Sequence, residues 1–184
     1  MAEINCVIVH GCTHDRKDMD FNKHWMQWLR RELILNGIEI QLPTMPDPMR
    51  PSYEAFKKEF EKCSINENTV LVGHSCGAGF LVRWLGESKK EVRKLVLVAP
   101  WNIPDEGDMY RERFYDYKID ASIKSRVKRI VMFTSDTERA AGKESLRQFH
   151  NALGGEVIEL KGKGHYTFKE MKTEEFPQLL AEIK

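Results

Sequence analysis

The sequence predicts a three-layer α/β/α sandwich built around a mostly parallel sheet of about six strands. Two observations carry this. Short apolar runs alternate strictly with segments of helical periodicity, which is the pattern of a parallel sheet covered by helices on both faces. One strand–helix junction within residues 70–85 (VLVGHSCGAGFLVRWL) also carries G-x-S-x-G across a sharp turn, Gly73-His74-Ser75-Cys76-Gly77.

The elements follow in order. Residues 5–10 (NCVIVH) form a continuous apolar run, expected of a strand buried on both faces. Residues 21–36 have helical spacing, with Trp25, Trp28, Leu29 and Leu33 on one face and Gly37 as the stop. Residues 38–42 read as a strand ending at Pro43. Ser52 is placed to cap a helix through Cys63, with Tyr53, Phe56 and Phe60 facing inward. The strand at 69–72 enters the G-x-S-x-G turn, and a helix at 76–87 leaves it. Residues 92–99 are the next strand, and 100–122 read as irregular. A strand at 129–134, a helix at 139–153 stopped by Gly154-Gly155, and a strand at 156–160 follow. A loop at 162–166 and a closing helix at 174–184 complete the pattern. One domain over residues 1–184 accounts for every element.

Composition narrows the function. Hydrophobic residues make up 41% and charged residues 31%, a globular balance. A net charge of +1 gives no field that would favour nucleic acid or an anionic membrane. No apolar run has the length of a membrane helix, and the N-terminus lacks the pattern of a signal peptide, so a cytoplasmic location is expected. Cys6, Cys12, Cys63 and Cys76 show no CxxC and no zinc spacing, so reduced thiols are expected.

A serine at the apex of such a turn is a candidate nucleophile, and it needs a base oriented by an acid. In this kind of sheet the chain order is Ser, then Asp or Glu, then His, each after a strand. His165, in Gly162-Lys163-Gly164-His165-Tyr166 after the last strand, meets the requirement; His150 lies inside a helix. Asp136 follows the preceding strand and is the expected acid. Glu138 is its nearest competitor, with Asp105 and Asp108 as a further possibility. The amides of Cys76, after the nucleophile, and Cys12, after the first strand, are the expected oxyanion donors. His10, His74, Trp101 and Tyr166 are expected to line a substrate pocket, with aromatics of 100–122 as a wall.

Other chemistries fit poorly. His10-Gly11-Cys12-x-His14 lacks metal-ligand spacing, and Asp15, Asp18 and Asp20 lack the glycine and closing glutamate of a calcium loop. No GxGxxG and no Walker A occur. No metal or organic cofactor is expected.

With these residues in place, the chain resembles the small serine hydrolases related to retinoblastoma-binding protein 9 and the bacterial YdeN-like proteins, within the α/β-hydrolase superfamily. The resemblance rests on residues 7–11 (VIVHG), 25–29 (WMQWL), 45–48 (MPDP), 72–75 (VGHS), 96–99 (VLVA) and 164–165 (GH). It implies a compact α/β-hydrolase fold with little or no lid and a triad of Ser75, Asp136 and His165. Relatives carry a second aspartate and a proline shortly after the acid. Here Asp136 is followed by Thr137-Glu138-Arg139-Ala140-Ala141, which keeps Glu138 in competition. The expected activity is that of a serine hydrolase on small ester or thioester substrates, as a monomer or weak dimer. The competing reading is a non-catalytic binding module on the same scaffold.

Overall fold

The structure is a computed structural model and describes residues 4–13 and 25–184. Among these, β1 (Asn5–Val9), β2 (Glu39–Gln41), β3 (Thr69–His74), β4 (Val92–Val98), β5 (Val127–Ser135) and β6 (Glu156–Leu160) form one six-stranded sheet. Neighbouring strands are all parallel, in the order β2-β1-β3-β4-β5-β6. The helices are α1 (Trp25–Leu35), α2 (Tyr53–Phe60), α3 (Cys76–Ser88), α4 (Met109–Phe114), α5 (Ala140–Leu153), α6 (Phe168–Met171) and α7 (Pro177–Ile183).

Apolar side chains of the central strands alternate between two cores. Val70, Val72, Val96 and Val98 pack with Trp25, Leu29 and Leu33 of α1 and Leu179 and Ile183 of α7. Leu71, Leu95 and Leu97 face the other way, onto Phe56 and Phe60 of α2, Phe80 and Trp84 of α3, and Phe149 of α5. Each fully buried aliphatic or aromatic side chain contributes roughly 1.5–3 kcal/mol of transfer free energy. This explains why the central strands read as unbroken apolar runs: both faces are covered.

Local signals set the ends. The Ser52 hydroxyl accepts the Ala55 N–H at 3.4 Å to start α2, and Pro177 opens α7. Two departures from the sequence reading stand out. Residues 100–122 are not wholly irregular, because they hold α4 and the start of a 3-10 turn at Ala121–Ser125. The six residues of α4 are too few to show periodicity, and its capping bond, Arg111 N–H to Asp108 Oδ1 at 3.0 Å, marks it instead. The closing helix begins only at Pro177, with the short α6 before it. The predicted helical start at 21–24 lies outside the described residues.

The strand order reverses direction between β1 and β3. The chain first moves outward from β1 to β2, then returns across β1 to β3 and continues through β6. Crevices in open parallel sheets form at such a switch point, beyond the carboxyl ends of the strands. The residues that leave β1 and β3 are Cys12 and Ser75 and their neighbours.

Candidate active site

The turn after β3 is sharp because its surroundings admit no side chain. A Cβ on Gly77 would lie 2.5 Å from the His10 carbonyl oxygen, and one on Gly73 would lie 2.6 Å from the Ala78 Cα. Ser75 takes φ 54° and ψ −123°, a conformation L-residues rarely adopt. Its backbone is held on three sides. The Ser75 N–H donates to the Val98 carbonyl at 3.0 Å, and the Ser75 carbonyl accepts from Ala78 at 3.0 Å and Trp101 at 3.2 Å. A serine at the start of a helix commonly caps it with its hydroxyl. Ser75 makes no such bond. Its Oγ lies 2.8 Å from His165 Nε2.

His165 is reached as the sequence predicts, from the loop after β6. Three successive amides of that loop are held by the end of β5 and its turn. Gly162 N–H donates to Asp136 Oδ1 at 2.7 Å, Lys163 N–H to Ser135 Oγ at 2.9 Å, and Gly164 N–H to Thr137 Oγ1 at 3.0 Å. His165 N–H donates to Glu170 Oε2 at 2.9 Å, and its carbonyl accepts from His74 Nε2 at 2.8 Å. The ring is packed edge-on against Trp101, 5.2 Å between centroids.

The acid beside His165 is not Asp136. His165 Nδ1 lies 2.7 Å from Glu138 Oε2, and Glu138 is buried at 6% exposure. Asp136 is exposed, and its carboxylate is engaged by the Gly162 amide, which holds its pKa below the usual carboxylate value. The end of β5 decides which carboxylate reaches the imidazole. β5 runs on to Ser135, so Asp136 sits at the turn where its short side chain meets loop amides. Glu138, two residues further, has the reach to cross to the imidazole. The second Glu138 oxygen, Oε1, accepts the Arg139 N–H at 2.8 Å. Asp108 caps α4 and Asp105 lines the cleft; neither meets the His165 ring nitrogens.

A sequence signal for Glu138 exists four residues on. A Cβ on Gly142 would lie 2.8 Å from the Glu138 carboxyl carbon, so only glycine leaves the carboxylate room. The clash would be with a side-chain tip, which can move. Gly142→Ala is therefore expected to leave the urea midpoint nearly unchanged and to lower kcat by about 10–100-fold through displaced Glu138. A variant that loses stability but keeps kcat would refute this.

Ser75 and His165 open onto a cleft of about 250 Å³, also lined by Cys12, Thr13, Cys76, Trp101, Asp105, Arg111, Tyr115 and Arg139. Of the expected pocket residues, Trp101 is at the wall. His10, His74 and Tyr166 stand behind it. Tyr166 is buried against Phe176, and its hydroxyl donates to the Thr134 carbonyl at 2.6 Å. His74 braces the His165 carbonyl. A larger cleft, about 590 Å³, lies elsewhere among the ion pairs Arg83–Glu87 and Lys89–Asp120, away from the Ser75–His165 contact.

His10 is fixed at both ring nitrogens. Met45 N–H donates to Nε2 at 2.9 Å, so the proton is on Nδ1, which donates to the Gly11 carbonyl at 2.8 Å. Burial pushes its pKa below the ordinary 6.5, against the Gly11 bond that raises it. The unfolded chain therefore binds a proton that the folded protein refuses. This contribution to stability is full above pH 6.5 and is lost as pH falls through the folded value. The urea midpoint is expected to drop from pH 7.5 to pH 5, with a shallower drop in His10→Gln; equal slopes would count against this assignment.

The cysteines also differ from expectation. Cys12 and Cys76 are joined in a disulfide, with Cα atoms 5.7 Å apart, while Cys6 and Cys63 are free. The pairing follows from the sheet, since β1 and β3 are neighbours and both residues follow the ends of those strands. His14 and Asp15, Asp18 and Asp20 lie outside the described residues. Among the described residues, no group of three or more His, Cys, Asp or Glu is placed to hold a metal ion, and no helix is long and apolar enough to cross a membrane.

The chain is similar to known proteins in sequence and in fold. Residues 6–183 match the model of the family described as serine hydrolase. The chain is 30% identical to YdeN of Bacillus subtilis (strain 168) over 80 residues, which is 41% of this chain and 42% of YdeN. The sequence alignment thus spans less than half of that relative. It is 23% identical to the serine hydrolase RBBP9 of Rattus norvegicus over 167 residues, 87% of this chain and 84% of that protein. The crystal structure of the B. subtilis ydeN gene product superposes with a TM-score of 0.82 at 19% identity, covering 97% of this chain and 96% of that one. The esterase domain from a Rhodothermus marinus protein superposes with a TM-score of 0.63 at 13% identity, covering 90% and 80%.

Proposed function

The chain belongs to the serine hydrolase family, and on that premise we propose that it cleaves small ester or thioester substrates through an acyl-enzyme on Ser75. The observation that carries the reading is the continuous contact from Ser75 Oγ to His165 Nε2 at 2.8 Å and from His165 Nδ1 to Glu138 Oε2 at 2.7 Å. Ser75 attacks the substrate carbonyl carbon while His165 takes its proton. Glu138 holds the tautomer with Nδ1–H and stabilises the imidazolium as it forms. His165 then passes the proton to the leaving alcohol or thiol. Water repeats the sequence on the acyl-enzyme and releases the acid.

The oxyanion is held by the amides of Cys12 and Cys76. Cys76 opens α3, where a first-turn N–H has no partner within the helix. Gly11 passes close to the nucleophile, since a Cβ there would be 3.1 Å from Ser75 Cβ. The Gly11 carbonyl is tied to His10, so the Cys12 N–H on the same trans peptide faces away from it. A cleft of about 250 Å³ suits a short acyl or alcohol group.

A fluorophosphonate probe tests this directly. The folded wild-type protein is expected to gain one adduct, mapped by mass spectrometry to the peptide holding Ser75. Folded protein that stays unlabelled would sink the enzyme reading and favour a non-catalytic binding module.

A further inference from the structure

We propose that the Cys12–Cys76 disulfide is a reducible clamp on the oxyanion hole, so that this hydrolase is active with the bond closed and weakened when it is opened. The inference rests on the catalytic reading of Ser75. The bond joins the two residues whose amides that reading assigns to the oxyanion. Cys76 is fixed by α3, but the Gly11–Thr13 stretch lies beyond the paired part of β1. Among the described residues it is held at several points. These include the His10 bond to the Gly11 carbonyl, the Arg111 Nη2 bond to the Thr13 carbonyl at 3.0 Å, and the disulfide. Of these, the disulfide is the one that ties one donor residue directly to the other. Oxyanion donors act because they are held in place before charge develops, so a loosened Cys12 amide stabilises the transition state less.

Both sulfur-bearing residues line the cleft, which gives a reductant access. Cys76 is buried and Cys12 is partly exposed. A thiolate of a dithiol reductant attacks Cys12 Sγ, the S–S bond breaks, and Cys76 leaves as a thiolate. Its position at the start of the 13-residue α3 favours that leaving group. The reductant's second thiol then attacks the mixed disulfide and frees Cys12, and the reductant departs as its own disulfide. Two electrons pass to the protein, and each freed thiolate takes a proton according to its pKa. A Cys76 thiolate would also place negative charge beside the amide that must receive the oxyanion, which lowers the rate in the same direction.

The test uses the full chain with a short chromogenic ester. Thiols are counted in denaturant before and after treatment with a dithiol, because Cys6 is fully buried in the fold; two titrate in the oxidised protein and all four after reduction. Reduction is expected to lower kcat at least ~10-fold with KM changed less than ~3-fold, and reoxidation to restore it. Cys12→Ser/Cys76→Ser is expected to lose kcat in the same direction, by no more than the reduced protein does, and to ignore the reductant. Circular dichroism confirms that the reduced form is folded at the assay temperature. Equal kcat in both redox states, a change confined to KM, four free thiols under oxidising conditions, or reduced protein unfolded at every temperature would each overturn the clamp. Turnover that ignores reduction removes the clamp and leaves the hydrolase. Oxidised protein that neither turns over nor reacts with a fluorophosphonate removes both.

Discussion

Glu138→Gln is expected to lower kcat by about 10⁴-fold, whereas Asp136→Asn is expected to cost only a few-fold. The two carboxylates are two residues apart, yet their environments assign different roles. Glu138 is buried, and Oε2 lies 2.7 Å from His165 Nδ1. Glutamine has nearly the same shape but no charge to stabilise the imidazolium. It can also turn its NH₂ toward Nδ1, which selects the tautomer that cannot accept a proton from Ser75. Asp136 instead anchors the Gly162 amide at 2.7 Å, and asparagine keeps an oxygen there to accept it. Its effect should pass only through the loop that carries His165. Steady-state kinetics on a short-chain ester, with urea midpoints for both variants, separates the roles. The opposite ranking would return Asp136 to the triad.

This pair also marks where sequence reading ends. The order of strands, the small neighbours of Ser75 and the His165 preceded by Gly162 and Gly164 are one-dimensional facts, and all three reach the structure intact. Which carboxylate meets the imidazole depends on where β5 stops and on which loop amides face it. A strand end misplaced by one residue is enough to reverse that choice, because Asp136 and Glu138 differ by one methylene of reach. The disulfide was hidden for a related reason. The sequence points to Cys12 and Cys76 as residues of one oxyanion site, but as backbone donors. Their side chains, 64 positions apart in sequence, meet only because β1 and β3 lie side by side at the switch point. Tyr166 and His74 show the reverse error. Their sequence neighbours Ser75 and His165 face the cleft, while they themselves face the packing that holds it.

Ser75→Ala is expected to lower kcat by about 10⁶-fold, and adding Glu138→Gln to it is expected to lower kcat little further. The reason is that, in the proposed mechanism, the three side chains serve one proton transfer. Once the nucleophile is gone, orienting the base has nothing left to improve, and the residual rate reflects binding and the oxyanion amides. If the two losses multiplied instead, Glu138 would be acting on something other than His165. The same residue offers a thermodynamic check. Ser75 sits at φ 54°, so its backbone is held in a region that costs an L-residue of order 1–3 kcal/mol. Glycine takes positive φ without that penalty, although it loses more entropy on folding. Ser75→Gly is therefore expected to be as inactive as Ser75→Ala but more stable than it by about 1 kcal/mol, read from urea midpoints at equal m-values. Ser75→Ala keeps the Cβ and the strain, so the difference between the two variants isolates the conformational cost of raising a hydroxyl to the carboxyl end of β3.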